Sequence, residues 1–168
     1  STREVVTLIY ARTLTRSLME YELIQIYEKF AGQVVEIRFN KPPANILTAR
    51  MIRELQCALT QTIRIPILKT IVISGNGTHF SYGASVEEHL PGEVEKMLPA
   101  FHHCIGRILG SPVPVIARVS GLCLGGGFEV ALACSLLFAD ETARFAVPEI
   151  QLGVFPPVAA ALLPIQLS

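Results

Sequence analysis

PVIARV (Pro114–Val119) and GLCLGGGFE (Gly121–Glu129) lie almost side by side in this sequence, separated by one serine. The first stretch is a short apolar run of the kind that forms a buried strand. The second predicts a tight turn into a helix over roughly residues 126–135, because glycine lets backbones approach closely. Strand, glycine turn and helix in this order indicate an α/β architecture.

The same alternation extends on both sides of this unit. Amphipathic spacing predicts a helix over residues 51–63, with Thr48 as a candidate N-cap. A second helix is predicted over residues 94–109, which Pro99 should kink or shorten. Short apolar or alternating runs predict further strands at residues 20–27, 34–39, 70–74 and 143–147, the first two joined as a hairpin.

Composition excludes several classes of protein. The 168 residues are 51% apolar and 17% charged, which suits one domain with a sizeable core and argues against a disordered chain. Fourteen basic residues balance fourteen acidic ones, so no overall positive field exists for nucleic acid or an anionic membrane. The most apolar stretch, residues 113–139, is interrupted by Arg118, the glycines and Glu129, which argues against a membrane span.

Cysteine and histidine spacing indicates no metal or redox site. No CxxC or HExxH pattern occurs, so we expect no metal and no redox cofactor. The cysteines are interpreted as buried thiols of a reducing compartment and the histidines as structural or surface groups. These residues are Cys57, Cys104, Cys123 and Cys134, and His79, His89, His102 and His103.

Three motifs carry the candidate chemistry: HFSYGAS (His79–Ser85), the Gly121–Glu129 stretch, and FAVPEIQLG (Phe145–Gly153). Each alone is weak, and the glycine run matches neither the GxGxxG dinucleotide fingerprint nor a P-loop. Taken alone, the run is read more readily as close packing of a helix against a strand. In this order, however, the three motifs resemble the crotonase superfamily, also called the enoyl-CoA hydratase/isomerase family.

The resemblance implies a spiral of strand–strand–helix units, assembled as a homotrimer or a dimer of trimers. It runs from about Met19 to the end of the chain. We therefore expect residues 19–168 to form the crotonase-like core and residues 1–18 to be a leader upstream of it. Family members continue into a helical C-terminal region, which we expect to be missing after Ser168.

The resemblance also implies the catalytic groups. It places the two oxyanion-hole donors at the backbone N–H groups of Ala84 and Gly126, where preorganised amides would stabilise a thioester enolate. Glu129 and Glu149 match the family's two acid–base positions. Glu129 follows Gly126 by three residues, which returns its carboxylate to the same helix face. Which acid gives the proton and which takes it is left open by the sequence.

The remaining site residues follow from the same motifs. An acyl-CoA thioester is the implied substrate, so coenzyme A arrives with it and no separate cofactor is expected. The implied contacts are Lys41, Pro43 and Ala44 in the loop that holds the adenine and pantetheine portions, and Gly83, Ser85 and Gly125 beside the donors.

Departures from the common family pattern indicate the substrate. Ser85 stands where many members have aspartate, and residues 153–160 are bulkier than the usual proline-glycine turn. Residues 80–90 and 152–158 resemble the family's cyclohexa-1,5-diene-1-carbonyl-CoA hydratases. The resemblance implies hydration to 6-hydroxycyclohex-1-ene-1-carbonyl-CoA in cytoplasmic, anaerobic benzoyl-CoA degradation. Two alternatives stay open: a short-chain enoyl-CoA hydratase or isomerase of fatty-acid oxidation, and a non-catalytic truncated subunit.

Overall fold

The computed structural model describes residues 21–85, 94–149 and 155–166, which contain seven strands and four helices. The strands are Ile24–Lys29 (β1), Val34–Phe39 (β2), Thr70–Gly75 (β3), Val115–Val119 (β4), Leu122–Leu124 (β5), Leu136–Ala139 (β6) and Arg144–Ala146 (β7). The helices are Ala49–Thr62 (α1), Val94–Leu109 (α2), Gly125–Ala133 (α3) and Pro157–Gln166 (α4).

Five of the strands form one mixed sheet in the order β1-β2-β3-β4-β6. The pair β1–β2 is antiparallel, and the other neighbours are parallel. Strands β5 and β7 form a separate parallel pair. Because β2, β3, β4 and β6 run in the same direction, their carboxyl ends share one edge of the sheet, where α/β folds place their ligands.

The predicted hairpin is confirmed, with β1 shifted relative to the sequence expectation. Strand β1 begins at Ile24 and ends at Lys29. It ends there because the next three residues, Phe30, Ala31 and Gly32, have positive φ and form the turn. Two strands were not predicted. Strand β5 has three residues and merges with the glycine turn in the sequence pattern, and β6 follows α3 after only two residues, where the helix was expected to continue.

The two amphipathic helices form as predicted. Thr48 is the N-cap of α1, and its side chain accepts a hydrogen bond of 3.2 Å from the Met51 amide. Helix α2 has the predicted bounds and contains Pro99, so of the two expected effects, a kink or a shortening, the shortening does not occur. Proline removes one backbone donor, and the buried side chains of Phe101, Ile105 and others hold this helix against the core.

The core lies between the sheet and α1 and continues to α2, which packs against α1, and it contains three of the four cysteines. Cys104, Cys123 and Cys134 are buried, and burial raises the pKa of each thiol to about 12. Cys57 is only half-buried, so the expectation of four buried thiols is wrong for this one. It lies on α1, where the face of the helix turns away from the core.

The apolar stretch 113–139 folds into β4, β5, α3 and β6, which confirms strand, turn and helix rather than one long span. Within the described ranges, every helix is too short or too polar to cross a membrane. The edge strand β6 is exposed along its length, including Leu136 and Phe138 at 52% and 59% exposure.

Candidate active site

A cavity of about 120 Å³ lies where the segment after β3 meets the N-terminus of α3, with α2 and the start of α4 as further walls. Four predicted site residues line it, namely Ala84, Gly126, Glu129 and Glu149. The two other predicted glycines, Gly83 and Gly125, line it as well. Three motifs far apart in the sequence thus meet at one place, as the resemblance implies.

Ala84 is held in extended backbone by a bridge to Leu47. The Leu47 amide donates to the Gly83 carbonyl at 2.9 Å, and the Ser85 amide donates to the Leu47 carbonyl at 3.2 Å. Successive N–H groups of extended backbone point in opposite directions, so the Ala84 N–H faces away from Leu47. An ideal Cβ built on Gly126 would lie 3.4 Å from this Ala84 nitrogen, so the two residues are immediate neighbours.

The glycine run Gly125–Gly127 forms the first turn of α3, which has no capping side chain, and it also packs closely against Ser81. Leu124 is the N-cap of α3 and makes no side-chain capping hydrogen bond, so its side chain satisfies none of the first-turn N–H groups. The helix dipole makes this end favourable for negative charge. At Gly127 an ideal Cβ would lie 2.6 Å from Ser81 Cβ, so there the close-packing interpretation of the run is correct.

Glu129 projects from α3 to the first turn of α4. Its side chain is 5% exposed, and Oε1 accepts hydrogen bonds from the Val158 amide at 3.0 Å and the Ala159 amide at 2.9 Å. These N–H groups lie at the positive end of α4. The carboxylate therefore orders the start of α4 and is itself stabilised in its charged form.

Glu149 reaches the cavity from the segment after β7. Its carboxyl group lies against Gly125, where an ideal Cβ would come within 3.2 Å of the Glu149 Cδ. Gly125 also has a φ of +48°, which L side chains rarely adopt. Oε2 of Glu149 is buried, and within the described part of the chain it has no hydrogen-bond partner. Gly125 thus makes room for an acid, in addition to lining the cavity.

Four predicted substrate contacts lie outside the cavity lining. Lys41 and Pro43 are exposed in the loop after β2, and Ala44 in the same loop accepts a hydrogen bond of 2.8 Å from the Tyr82 amide. Ser85 is used in the Leu47 bridge. Of these four residues, Ala44 therefore contacts the cavity wall through the backbone of Tyr82, which lines the cavity. The parts of the substrate motifs at residues 86–90 and 151–154 lie outside the described residues.

Sequence reasoning missed the wall that α2 contributes, which includes Met97, Phe101 and His102. The apolar period of α2 predicted a buried face but not that part of this face borders a cavity. His102 was interpreted as a structural or surface group; it is exposed, as this interpretation expects, and it also lies at the cavity edge. His79 is structural, since its Nδ1 accepts a hydrogen bond of 3.0 Å from the Leu122 amide.

The residues present suit acid–base chemistry. In the three described ranges, no group of three or more His, Cys, Asp or Glu side chains is arranged to hold a metal ion. The cavity offers two carboxyl groups, two closely placed backbone segments and apolar walls. Such a site can polarise a carbonyl group and move protons beside it.

Comparison with known proteins supports the same interpretation. The sequence profile of the enoyl-CoA hydratase/isomerase family matches residues 29–166. A cyclohexa-1,5-dienecarbonyl-CoA hydratase of Thauera aromatica is 43% identical over 84% of this chain and 55% of its own length. A probable enoyl-CoA hydratase of Bacillus subtilis is 37% identical over 73% of this chain and 49% of its own length. This chain therefore spans about half the length of the curated relatives it matches.

Solved structures share the fold. DspI of Pseudomonas aeruginosa superposes with a TM-score of 0.81 at 26% identity, covering 88% of this chain and 58% of that one. An enoyl-CoA hydratase subunit of Geobacillus kaustophilus superposes with a TM-score of 0.75 at 33% identity, covering 84% of this chain and 55% of that one. The crotonase-like α/β fold is thus confirmed, and the chain belongs to the enoyl-CoA hydratase/isomerase family.

Proposed function

We propose that this chain carries the thioester-activating site of an acyl-CoA hydratase. One observation carries the proposal: Ala84, Gly126, Glu129 and Glu149 all line a single cavity. A thioester carbonyl placed between the Ala84 and Gly126 amides would receive two hydrogen bonds where enolate charge develops. Each such donor contributes about 10²–10³ in rate. Glu129 and Glu149 would then flank the adjacent carbon–carbon double bond.

The surroundings of the two acids favour different roles. Glu129 receives two backbone N–H groups at the start of α4, which favours the carboxylate and suits a base that takes a proton from water. Glu149 has a buried oxygen with no hydrogen-bond partner among the described residues, so this oxygen is available to deliver a proton to carbon. The water gives one proton to Glu129, and its oxygen forms a bond to one carbon of the conjugated system. Glu149 gives its proton to another carbon of the same system. Proton exchange through a shared water then restores both acids.

The proposed substrate is cyclohexa-1,5-diene-1-carbonyl-CoA, hydrated to 6-hydroxycyclohex-1-ene-1-carbonyl-CoA. The named activity of the Thauera relative supports this choice. The cavity volume of about 120 Å³ is also of the order that holds one six-membered ring, since engineered protein cavities of about 150 Å³ bind benzene. A role in anaerobic benzoyl-CoA degradation, a cytoplasmic location and assembly as trimers or dimers of trimers belong to the same proposal.

Purified protein given the cyclic dienoyl-CoA and crotonyl-CoA in parallel tests the proposal. We expect addition of one water to the dienoyl thioester, with a higher kcat/KM than for crotonyl-CoA. Glu149→Gln should lower kcat by about 10²–10⁴-fold, and Glu141→Gln, at an exposed residue outside the cavity, should leave kcat unchanged. Preference for crotonyl-CoA would favour an ordinary short-chain enoyl-CoA hydratase, as the name of the Bacillus relative suggests.

A second candidate is an acyl-CoA-binding chain without turnover. The observation in its favour is that apolar cavity walls such as Met97 and Phe101 suit binding of an acyl group whether or not the two acids act on it. Calorimetry with a saturated acyl-CoA thioester separates the candidates when it is combined with the turnover assay. Heat of binding without any hydration would favour the non-catalytic chain.

A further inference from the structure

Asn45 ties two loops together although it does not line the cavity. It is fully buried, with a φ of +47° that asparagine tolerates better than most residues. Its Oδ1 accepts from the Lys41 amide at 3.0 Å, and its Nδ2 donates to the Asn76 and His79 carbonyls, both at 2.9 Å. The side chain thus joins the loop after β2 to the turn after β3.

Ser81 continues this connection toward the cavity. It is fully buried, and its hydroxyl donates to the Asn45 carbonyl at 2.8 Å while accepting from the Gly83 amide at 3.0 Å. Its backbone carbonyl accepts from the Leu124 amide at 2.9 Å, and its own amide donates to Leu122 at 3.1 Å. One serine therefore contacts the Asn45 loop, the segment before Ala84 and the segment before Gly126.

These contacts bear directly on the separation of the two amides. Gly83 immediately precedes Ala84, and Leu124 is the N-cap of the helix whose second residue is Gly126. A shift of the Ser81 hydroxyl or carbonyl would move one amide relative to the other. Oxyanion stabilisation depends on donors fixed in advance at hydrogen-bond distance from one oxygen. A misplacement of about 1 Å at such a site can cost about 10²-fold in rate.

We propose that Asn45 and Ser81 are a positioning pair that sets the relative placement of the Ala84 and Gly126 amides. The inference rests on the proposed function, because the amides matter for catalysis only if they receive a thioester oxygen. The pair touches no substrate and acts through the backbone of its neighbours. Its loss should therefore lower kcat more than it raises KM, because enolate charge develops after binding.

The variants separate positioning from general stability. Ser81→Ala removes the hydroxyl, and Ser81→Cys restores a weaker donor and acceptor of similar size. Asn45→Gly keeps the positive φ without strain and removes the side chain together with its hydrogen bonds. Ser74→Ala is the matched control, because Ser74 is equally buried and its hydroxyl donates at 2.6 Å to Glu36, on the sheet and outside the cavity lining.

We expect Ser81→Ala and Asn45→Gly to lower kcat for thioester hydration by about 10–100-fold, with little change in KM. Ser81→Cys should recover part of the loss, and Ser74→Ala should leave kcat unchanged while lowering Tm. An equal fall of kcat in Ser74→Ala would overturn the proposal, because it would make the effect one of stability. Full activity in both Ser81→Ala and Asn45→Gly would overturn it as well.

An activity-independent measurement distinguishes failure of this inference from failure of the proposed function. In ¹H–¹⁵N spectra of the 168-residue chain, Ser81→Ala and Asn45→Gly should shift both the Ala84 and Gly126 amide resonances. Ser74→Ala should leave both in place. If the parent chain hydrates no thioester, the proposed function fails, and these resonances alone decide the positioning role. Unmoved Ala84 and Gly126 resonances would refute that role.

Discussion

Two regions of this chain bury carboxylates and surround them in opposite ways. On the sheet, Glu36 is 1% exposed and accepts hydrogen bonds from Lys29 at 2.6 Å, Ser74 at 2.6 Å, Arg118 at 2.7 Å and Arg38 at 2.9 Å. Every donor is a side chain, and three of them are cations. The acceptor capacity of this carboxylate is used within the protein.

The cavity acids are surrounded differently. Glu129 is held on one side by the backbone of α4, and Glu149 has a buried oxygen without a partner among the described residues. Burial is common to the two regions, whereas the kind of hydrogen-bond donor differs: side chains surround Glu36, and backbone amides of α4 hold Glu129.

The largest expected effect is the fall in kcat when a cavity carboxyl group is replaced by an amide. Glu129→Gln and Glu149→Gln should each lower kcat for thioester hydration by about 10²–10⁴-fold, the range of general acid–base catalysis. Glu36→Gln makes the same chemical change in the other region and should leave kcat near that of the parent chain. Steady-state kinetics on the three variants checks this. A fall of similar size in Glu36→Gln would remove the distinction between the regions.

The loss of stability in these variants should be ordered opposite to the loss of kcat, with Glu36→Gln affected more than Glu129→Gln. Glu36→Gln replaces a charged acceptor that serves four donors, and hydrogen bonds to charged groups contribute about 1.5–3 kcal/mol each. We expect a loss of about 2–3 kcal/mol in the free energy of unfolding, measured in urea. Glu129→Gln keeps an acceptor for the α4 amides and should lose less than about 1 kcal/mol. A larger loss in Glu129→Gln would make that acid primarily structural.

The contribution of Glu36 should also depend on pH. Burial by itself raises the pKa of this carboxyl group, but hydrogen bonds from Lys29, Ser74, Arg118 and Arg38 outweigh it and hold the pKa well below its ordinary value of 4.5. Because the pKa is lower in the folded protein, the stabilisation is fully present above pH 4.5 and is lost as the pH falls toward the folded value.

Urea unfolding of the parent chain and Glu36→Gln across this range measures the effect. The difference in unfolding free energy should be constant near neutral pH and should shrink below pH 4.5. A difference that stays constant into strong acid would show that charge plays no part in the cluster.

Two neighbouring glycines of α3, Gly126 and Gly127, allow the effect of a methyl group on stability to be compared with its effect on catalysis. An alanine Cβ at Gly127 would lie 2.6 Å from Ser81 Cβ, so Gly127→Ala should destabilise the fold by about 1–3 kcal/mol through overpacking. At Gly126 the nearest atom is Ala84 Cβ at 3.3 Å, so Gly126→Ala should cost less stability. It should instead raise KM or lower kcat, because its methyl group lies against the cavity wall. Paired urea and kinetic measurements check the contrast.

The sequence predicted what local patterns encode. Strand and helix periods located most elements, and the resemblance of three motifs to the enoyl-CoA hydratase/isomerase family implied the four residues that line one cavity, Ala84, Gly126, Glu129 and Glu149. Strand β6 was missed because four residues after a helix carry too little pattern. The Glu36 cluster and the Asn45–Ser81 pair were missed because their hydrogen-bond partners lie up to 82 residues away for Glu36 and up to 124 − 81 = 43 residues away for the pair. Long-range polar contacts have no period to detect.

The smallest expected effect concerns the starts of the helices. Helix α1 has its own cap, Thr48, whereas α3 begins without a capping side chain and lines the cavity. Thr48→Ala should therefore cost about 1 kcal/mol of stability and leave kcat unchanged, and Thr48→Ser should restore the loss. Urea unfolding and kinetics together test this. A fall in kcat without a fall in stability in Thr48→Ala would contradict this expectation. The start of α1 would then contribute to the cavity, and the contrast between the capped α1 and the uncapped α3 would not separate the cavity from the rest of the fold.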